Sequence, residues 1–363
     1  MKILLLGEYS NVHWTLATGL RNLGHKVMVV SDGDGFKNYQ RDIDISMKSE
    51  NRMGQIKCLF SILRTLPKLK GFDVVQVINP NFTRIHHINL LLYKYLKKHN
   101  RKIFLGAFGN DYFYTKACIE NKVYRYSEFF VDGKPTNLKA NKELVKAWIG
   151  TFRQKANIEM ANSCDGIIAG LYDYYMAYEQ GFGNKLNYIP LPINLEEIPF
   201  SILNIPEKVR FFVSINKDRM EIKGTPLFLK ALKRIEDKYS DRIEIFEAES
   251  LPYGEYKAKL QEADVVLDQT YSYCLGMTGL LTLAGGKILV SSAEPEMYKA
   301  LGEKENKPVC GILPSVDDIY QKLESLILNK NDFPVFSQNG RLFVETHHDY
   351  TKVAKQYINV WSK

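Results

Sequence analysis

Residues Tyr271–Val290 read YSYCLGMTGLLTLAGGKILV. A polar turn gives way to apolar residues at helical spacing over 277–285, and KILV starts a strand. The run DVVLDQ just upstream is a strand as well. The unit is therefore strand, turn, helix, strand, the repeating element of a parallel sheet covered on both faces. In CLGMTG the backbone N–H groups of Gly276, Met277 and Thr278 open a helix, a natural place for an anion. The plain alternative is a helix start with Thr278 near the cap.

Working outward, the same rhythm fills the chain. KILLLG, HKVMVVSD, DVVQVIN (73–79), RKIFLGAFG (101–109) and DGIIAG (165–170) read as strands. Helical patterns lie at 13–23 and in LLLYKYLKKHN. KLNYIPLPINLEEIPF, with three prolines, reads as a connector. The rhythm then restarts with VRFFVSIN (209–216), helix 224–239, RIEIFEA, helix 254–262, DVVLDQ, helix 277–285 and KILVSS. A late helix starts near Asp317, and YTKVAKQYINVWSK is a helical tail. These elements predict an α/β protein of two Rossmann-like domains facing each other across a cleft. Residues 1–195 form the first and 196–345 the second, with a helix at 346–363 returning to the first. In such sheets ligands sit beyond the carboxyl ends of the strands.

With 363 residues the chain is long enough for two ordinary domains, and 45% hydrophobic with 25% charged residues is a globular composition. No apolar run approaches the roughly 18 residues of a membrane span. The start MKILLLGEYS is a first strand rather than a leader, because its apolar run ends at Gly7-Glu8. Five scattered cysteines with no C-x-x-C spacing predict reduced thiols in a cytoplasmic setting. A net charge of +8 suits acidic partners such as nucleotide diphosphates or lipid phosphates. No Lys/Arg block is dense enough for nucleic acid.

Several chemistries fail on their motifs. The first strand–helix turn, GEYSNVHW, has one glycine where a dinucleotide site needs G-x-G-x-x-G. P-loop, H-E-x-x-H and G-x-S-x-G patterns are absent. Asp32/Asp34 and Asp42/Asp44 spell D-x-D, which can hold a divalent metal, but acids this close in a Gly-rich loop read as turn formers. No metal and no cofactor is expected. The dyads His86-His87 and His347-His348 diverge in any regular element.

Three loops of the second half survive. SINKDRMEIKGT places Asn216, Lys217, Arg219 and Lys223 after a strand, where cations can neutralise a leaving diphosphate. CLGMTG follows the next strand. SSAEPE follows KILV and offers Glu294 and Glu296 as acceptors for ribose hydroxyls.

On these residues the chain resembles the retaining glycosyltransferases of the GT-B fold, bacterial members among them. The resemblance rests on R-x-x-x-K-G at Arg219–Gly224, on GMTGLLTLAGGKILV at 276–290 and on Pro295-Glu296. YIPLPIN is similar to the family's interdomain segment, and Gly109–Asp111 to a G-T-D or G-S-D turn. The resemblance implies transfer of a sugar from a nucleotide diphosphate donor. Arg219 and Lys223 would bind the diphosphate, and the helix near Gly276 would face the phosphates. The family's two glutamates, the first on the sugar and the second on the ribose, fall here on Tyr273 and Leu281. Tyr273 is then expected to contact the sugar or stack on the base, and Glu296, with Glu294 as alternative, to take the ribose. Leu281, at the spacing Leu280, Leu281, Leu283, Ala284, is expected to pack inward.

Acceptor binding is assigned to the first half. Glu8, Tyr9, Asn11 and His13 follow the first strand. His13 either orients an acceptor hydroxyl or touches the donor sugar, or else caps or packs, and Asp111 either binds a hydroxyl or caps the next segment. The aromatic run DYFYTKACIENKVYRYSEFF reads as core or lid packing. IKCLFSILRTLPKLK (56–70) is basic and amphipathic; it suits either anionic lipid or, the preferred reading, an ordinary surface helix. The resulting expectation is a cytoplasmic, metal-independent hexosyltransferase extending a glycan or lipid-linked glycan of a surface polysaccharide. A nucleotide-sugar epimerase of the same fold and a silent nucleotide- or glycan-binding protein are its rivals.

Overall fold

The computed structural model describes residues 1–216, 219–249 and 259–363. The chain divides into two compact units. The first is built from Met1–Val123, Glu143–Pro192 and His348–Lys363, the second from Tyr124–Lys142 and Ile193–His347. The strand–helix rhythm had put 124–142 in the first domain; it belongs to the second. That allegiance depends on where its side chains pack, which periodicity does not report.

The first unit holds a seven-stranded parallel sheet. Its strands are β1 (Lys2–Leu6), β2 (Lys26–Ser31), β3 (Ile43–Asp44), β4 (Val74–Val77), β5 (Lys102–Ala107), β8 (Gly166–Ala169) and β9 (Leu186–Tyr188). The order β3-β2-β1-β4-β5-β8-β9 runs outward from β1 to one edge and then resumes on its other side. Ile3–Leu6 and Val74–Val77 are buried throughout, as strands covered on both faces must be. β9 lies at the start of the segment read as connector, and two-residue β3 is too short to leave a pattern. The tail is a helix, Tyr350–Ser362, packed on the first helix, Val12–Asn22. Gly19 allows this approach: a Cβ there would sit 2.5 Å from the Tyr350 carbonyl oxygen.

The second unit has a five-stranded parallel sheet of β10 (Val209–Ile215), β11 (Ile243–Glu249), β12 (Val265–Leu267), β13 (Ile288–Ser291) and β14 (Cys310–Gly311). Their order is β11-β10-β12-β13-β14. Helices Thr225–Tyr239 and Val316–Leu328 pack together over a core that includes Phe211, Phe228, Ile235, Leu267 and Val290. Helix Met277–Ala284 packs on Phe333–His347. The segment from Tyr124 carries a small antiparallel hairpin, β6 (Phe130–Val131) and β7 (Lys134–Pro135). The helix expected at 254–262 falls largely outside the described residues. No helix among the described residues is long and apolar enough to cross a membrane, and none of the five cysteines is in a disulfide with a described residue.

Candidate functional site

In both units the strand order reverses direction once, and a ligand crevice is expected at that switch point. In the second unit the switch falls between neighbours β10 and β12. The turn after β10 and the turn after β12 therefore lie side by side.

The turn after β10 is folded on itself by the Asn216 carbonyl, which accepts N–H from Arg219 and Met220. It ends in Gly224 at φ +71°. The Thr270 N–H donates to the Lys223 carbonyl at 3.0 Å, and a Cβ on Gly224 would lie 1.9 Å from Thr270 Oγ1. The glycine is thus dictated twice, by its left-handed backbone and by this approach. Thr270 Oγ1 is itself buried and lacks a hydrogen-bond partner. Lys223 Nζ donates to Asp268 Oδ1 at 2.7 Å, and the Asp268 side chain is buried. Arg219 is exposed and makes no ion pair with any described residue. Lys217 lies outside the described residues.

After β12, Gly276 is the N-cap of Met277–Ala284, and no side chain caps it. Gly276, Met277 and Thr278 are half-buried. The first-turn N–H groups and the helix dipole there form an anion site of ordinary design. Arg219, Lys223 and this helix start are brought together by the sheet order.

The expected sugar and ribose contacts look different. Tyr273 is fully buried. Its ring stacks on Tyr126 at 5.1 Å, and the Arg125 guanidinium covers it at 5.0 Å. With its ring covered by Tyr126 and Arg125, Tyr273 offers no face to a base, a correction to its expected stacking role. Arg125 also takes both glutamates, bonding Glu294 at 2.5 Å and Glu296 through two nitrogens. Tyr126 donates its hydroxyl to Glu294 at 2.5 Å. The guanidinium holds the Glu296 carboxyl below its usual range. The cluster was invisible in the sequence, because VYRYSEFF lies some 170 residues from its carboxylates. Leu281 is corrected as well: Leu280, Leu283 and Ala284 are buried, while Leu281 is 40% exposed.

In the first unit the switch point lies between β1 and β4. A cavity of about 150 Å³ opens there, lined by Glu8, Tyr9, Asp32, Asp34, Arg84 and His86 among others. Arg84 Nε pairs with Asp32 at 2.5 Å and Lys37 with Asp34 at 2.6 Å. Asp42 and Asp44 pair with Arg21 and Arg41. Both D-x-D pairs are thus ion-paired, and Asp32 and Asp44 also form turns, as their spacing suggested, accepting the N–H of Asp34 at 3.1 Å and of Ser46 at 2.9 Å. Carboxylates, a guanidinium and an imidazole around a small cavity match the hydroxyls of a sugar.

Glu8 is buried and caps the first helix, accepting N–H from His13 at 3.1 Å and Trp14 at 2.9 Å. Burial pushes its carboxyl up to about 8. Tyr9 donates its hydroxyl to the Asn81 carbonyl at 3.2 Å. Asn11 sits at φ +67° with its buried Oδ1 unpartnered. Asp111 is the helix cap of its two readings. Its Oδ1 accepts the Tyr114 N–H at 2.9 Å and its Oδ2 the Tyr178 hydroxyl at 2.6 Å, so its buried carboxyl, pushed to about 6 by burial, serves the fold.

His13 is fully buried, and its Nδ1 lies 2.7 Å from the Gly7 carbonyl. A carbonyl only accepts, so Nδ1 carries the proton and Nε2 is a lone pair without a partner. Burial holds the ring down at about 4 against 6.5 for a free imidazole. His13 therefore stays neutral to about pH 4, and a ¹H–¹⁵N titration should show the Nδ1–H tautomer throughout; a midpoint at 6.5 would refute this environment. The linkage signs follow. The ring's contribution to stability is present above pH 6.5 and lost as pH falls through about 4, whereas Glu8, raised to about 8, contributes below 4.5 and loses it as pH rises through 8.

No protein-family model matches the chain, and no curated protein matches it in sequence. Solved structures do. A sucrose-phosphate synthase from Thermosynechococcus elongatus superposes with a TM-score of 0.62 at 11% identity, covering 100% of this chain and 98% of its own. Anabaena HepE, in complex with UDP and glucose, gives 0.59 at 13% identity over 100% and 99%. A glycosyltransferase from Rickettsia africae gives 0.55 at 14% identity over 99% and 97%. At these identities the likeness establishes the fold: two Rossmann-like units of the GT-B type.

Proposed function

We propose that the chain transfers a sugar from a nucleotide diphosphate donor to a glycan or lipid-linked glycan, with retention of configuration, in the making of a bacterial surface polysaccharide. One observation carries this reading: the second unit's switch point joins an uncapped helix start to Arg219 and Lys223. When the bond from the anomeric carbon to the diphosphate oxygen breaks, the electron pair stays on the diphosphate. Arg219, Lys223 and the first-turn N–H groups of Met277–Ala284 stabilise that charge, the largest electrostatic demand of the step. The acceptor hydroxyl is bound in the first unit's cavity, beside Glu8 and Tyr9; His13, fully buried, is not among the residues that line it. The GT-B fold, shared with HepE in its complex with UDP and glucose, supports a UDP-type donor.

Isothermal titration with UDP, GDP and ADP, followed by donor turnover with and without glycan acceptors, tests this. Turnover that needs no acceptor would favour an epimerase. Absence of any nucleotide binding would favour a silent shell, the reading that the Arg125 lock on Glu294 and Glu296 supports. Transfer should also survive EDTA, because the D-x-D carboxylates are already ion-paired. Abolition by EDTA with rescue by manganese would overturn the metal-independent mechanism.

A further inference from the structure

Helix Arg52–Thr65 of the first unit has two apolar faces. Gly54, Cys58, Ile62 and Thr65 are buried against the unit. Met53, Ile56, Phe60 and Leu63 follow the same three–four spacing but are each more than half exposed. At about 100° per residue the second row lies half a turn from the first, pointing straight away from the core. An ordinary surface helix carries polar residues there.

The exposed row is rimmed by cations. Between residues 48 and 70 stand Lys48, Arg52, Lys57, Arg64, Lys68 and Lys70, against the single acid Glu50. All six are exposed, and none forms an ion pair with a described residue. Lys57 and Arg64 flank the apolar row on one side and Arg52 on the other; the Arg64 guanidinium lies 4.3 Å from the Phe60 ring centroid. On the Lys57 flank opens a cavity of about 520 Å³ lined by Lys48, Lys57, Ser46, Ser49, Ser61 and Asp44 among others, the Asp44 carboxylate being paired with Arg41. Cations and hydroxyls around a cavity suit a phosphate, and the apolar row beside it suits acyl chains.

We propose that this face docks on an anionic lipid bilayer, with a phospholipid headgroup seated between Lys48 and Lys57 and with Met53, Ile56, Phe60 and Leu63 inserted at the acyl boundary. Charge complementarity selects this occupant: five net positive charges within 23 residues repel a second copy of the same face and attract an anionic leaflet. The docking is independent of the transferase reading, since vesicle binding requires no nucleotide and its failure leaves donor binding untouched.

Sedimentation of the full chain with vesicles of phosphatidylcholine alone, or with about one-third phosphatidylglycerol at about 0.1 M salt, tests it. Binding to the anionic vesicles should be at least about tenfold tighter. Ile56→Ser/Phe60→Ser and Lys48→Glu/Lys57→Glu should each weaken it about tenfold or more, with unchanged melting temperatures because all four side chains are exposed. Leu91→Ser, at an exposed leucine elsewhere in the unit, should bind as wild type. Equal affinity for both vesicle types would overturn the proposal, as would anionic binding indifferent to Ile56→Ser/Phe60→Ser. Self-association abolished by that pair, without vesicle binding, would assign the face to a second copy instead.

Discussion

Replacing Arg219 or Lys223 by alanine is expected to slow sugar transfer about a hundredfold each, roughly 2.7 kcal/mol of lost leaving-group stabilisation. The two variants should differ in everything else. Arg219 is exposed and unpaired among the described residues, so Arg219→Ala should melt with wild type. Lys223→Ala leaves the buried Asp268 carboxylate without its partner, and breaking a buried pair from one side costs about 3–5 kcal/mol. A marked fall in melting temperature should therefore accompany its loss of rate. Lys223→Ala/Asp268→Asn should recover the melting temperature but not the rate. Calorimetry and steady-state kinetics on these three proteins separate charge stabilisation from packing. Unchanged turnover in both single variants would remove the diphosphate from this turn.

Gly224→Ala is expected to cost more than about 3 kcal/mol of stability. Alanine at φ +71° carries about 1–2 kcal/mol of left-handed strain, and its Cβ would lie 1.9 Å from Thr270 Oγ1, which something must relieve. Denaturant unfolding of Gly224→Ala/Thr270→Ala should recover part of the loss, since Thr270 Oγ1 is gone while the Thr270 Cβ still lies 3.0 Å from the new methyl group. A single variant within about 1 kcal/mol of wild type would show that the two turns are not in contact.

What the sequence disclosed follows from what periodicity carries. β1 and β13 are short apolar runs, β10 is apolar but for Arg210 and Ser214, and the helix over 277–285 declared itself by spacing; the expected helix and strand lie within a residue of Met277–Ala284 and Ile288–Ser291. The R-x-x-x-K-G turn and the helix start were legible because each follows a strand directly. Partnerships across long separations left no such trace. Lys223 gives no hint of Asp268, 45 residues on, nor Arg125 of Glu294 and Glu296. Leu281 shows the limit of spacing itself: apolar residues on three successive helical sides cannot all face inward, and hydropathy does not say which is left out.

The Tyr350–Ser362 helix lies against the helix Val12–Asn22, and residues 193–347 intervene between the pieces of the first unit. Order of synthesis and order of folding therefore part company. The second unit has all of its residues once His347 has left the ribosome, whereas the first, begun earlier, waits for the last 16 residues. Until then a nascent chain exposes the groove over Gly19 and the partners of Trp361, surface of the kind that chaperones bind. Closing so long a loop slows the final docking far more than it weakens it, because loop entropy grows only logarithmically with length. The first unit is thus completed by a segment made after the whole of the second, and the helix Val12–Asn22 waits that long for its neighbour.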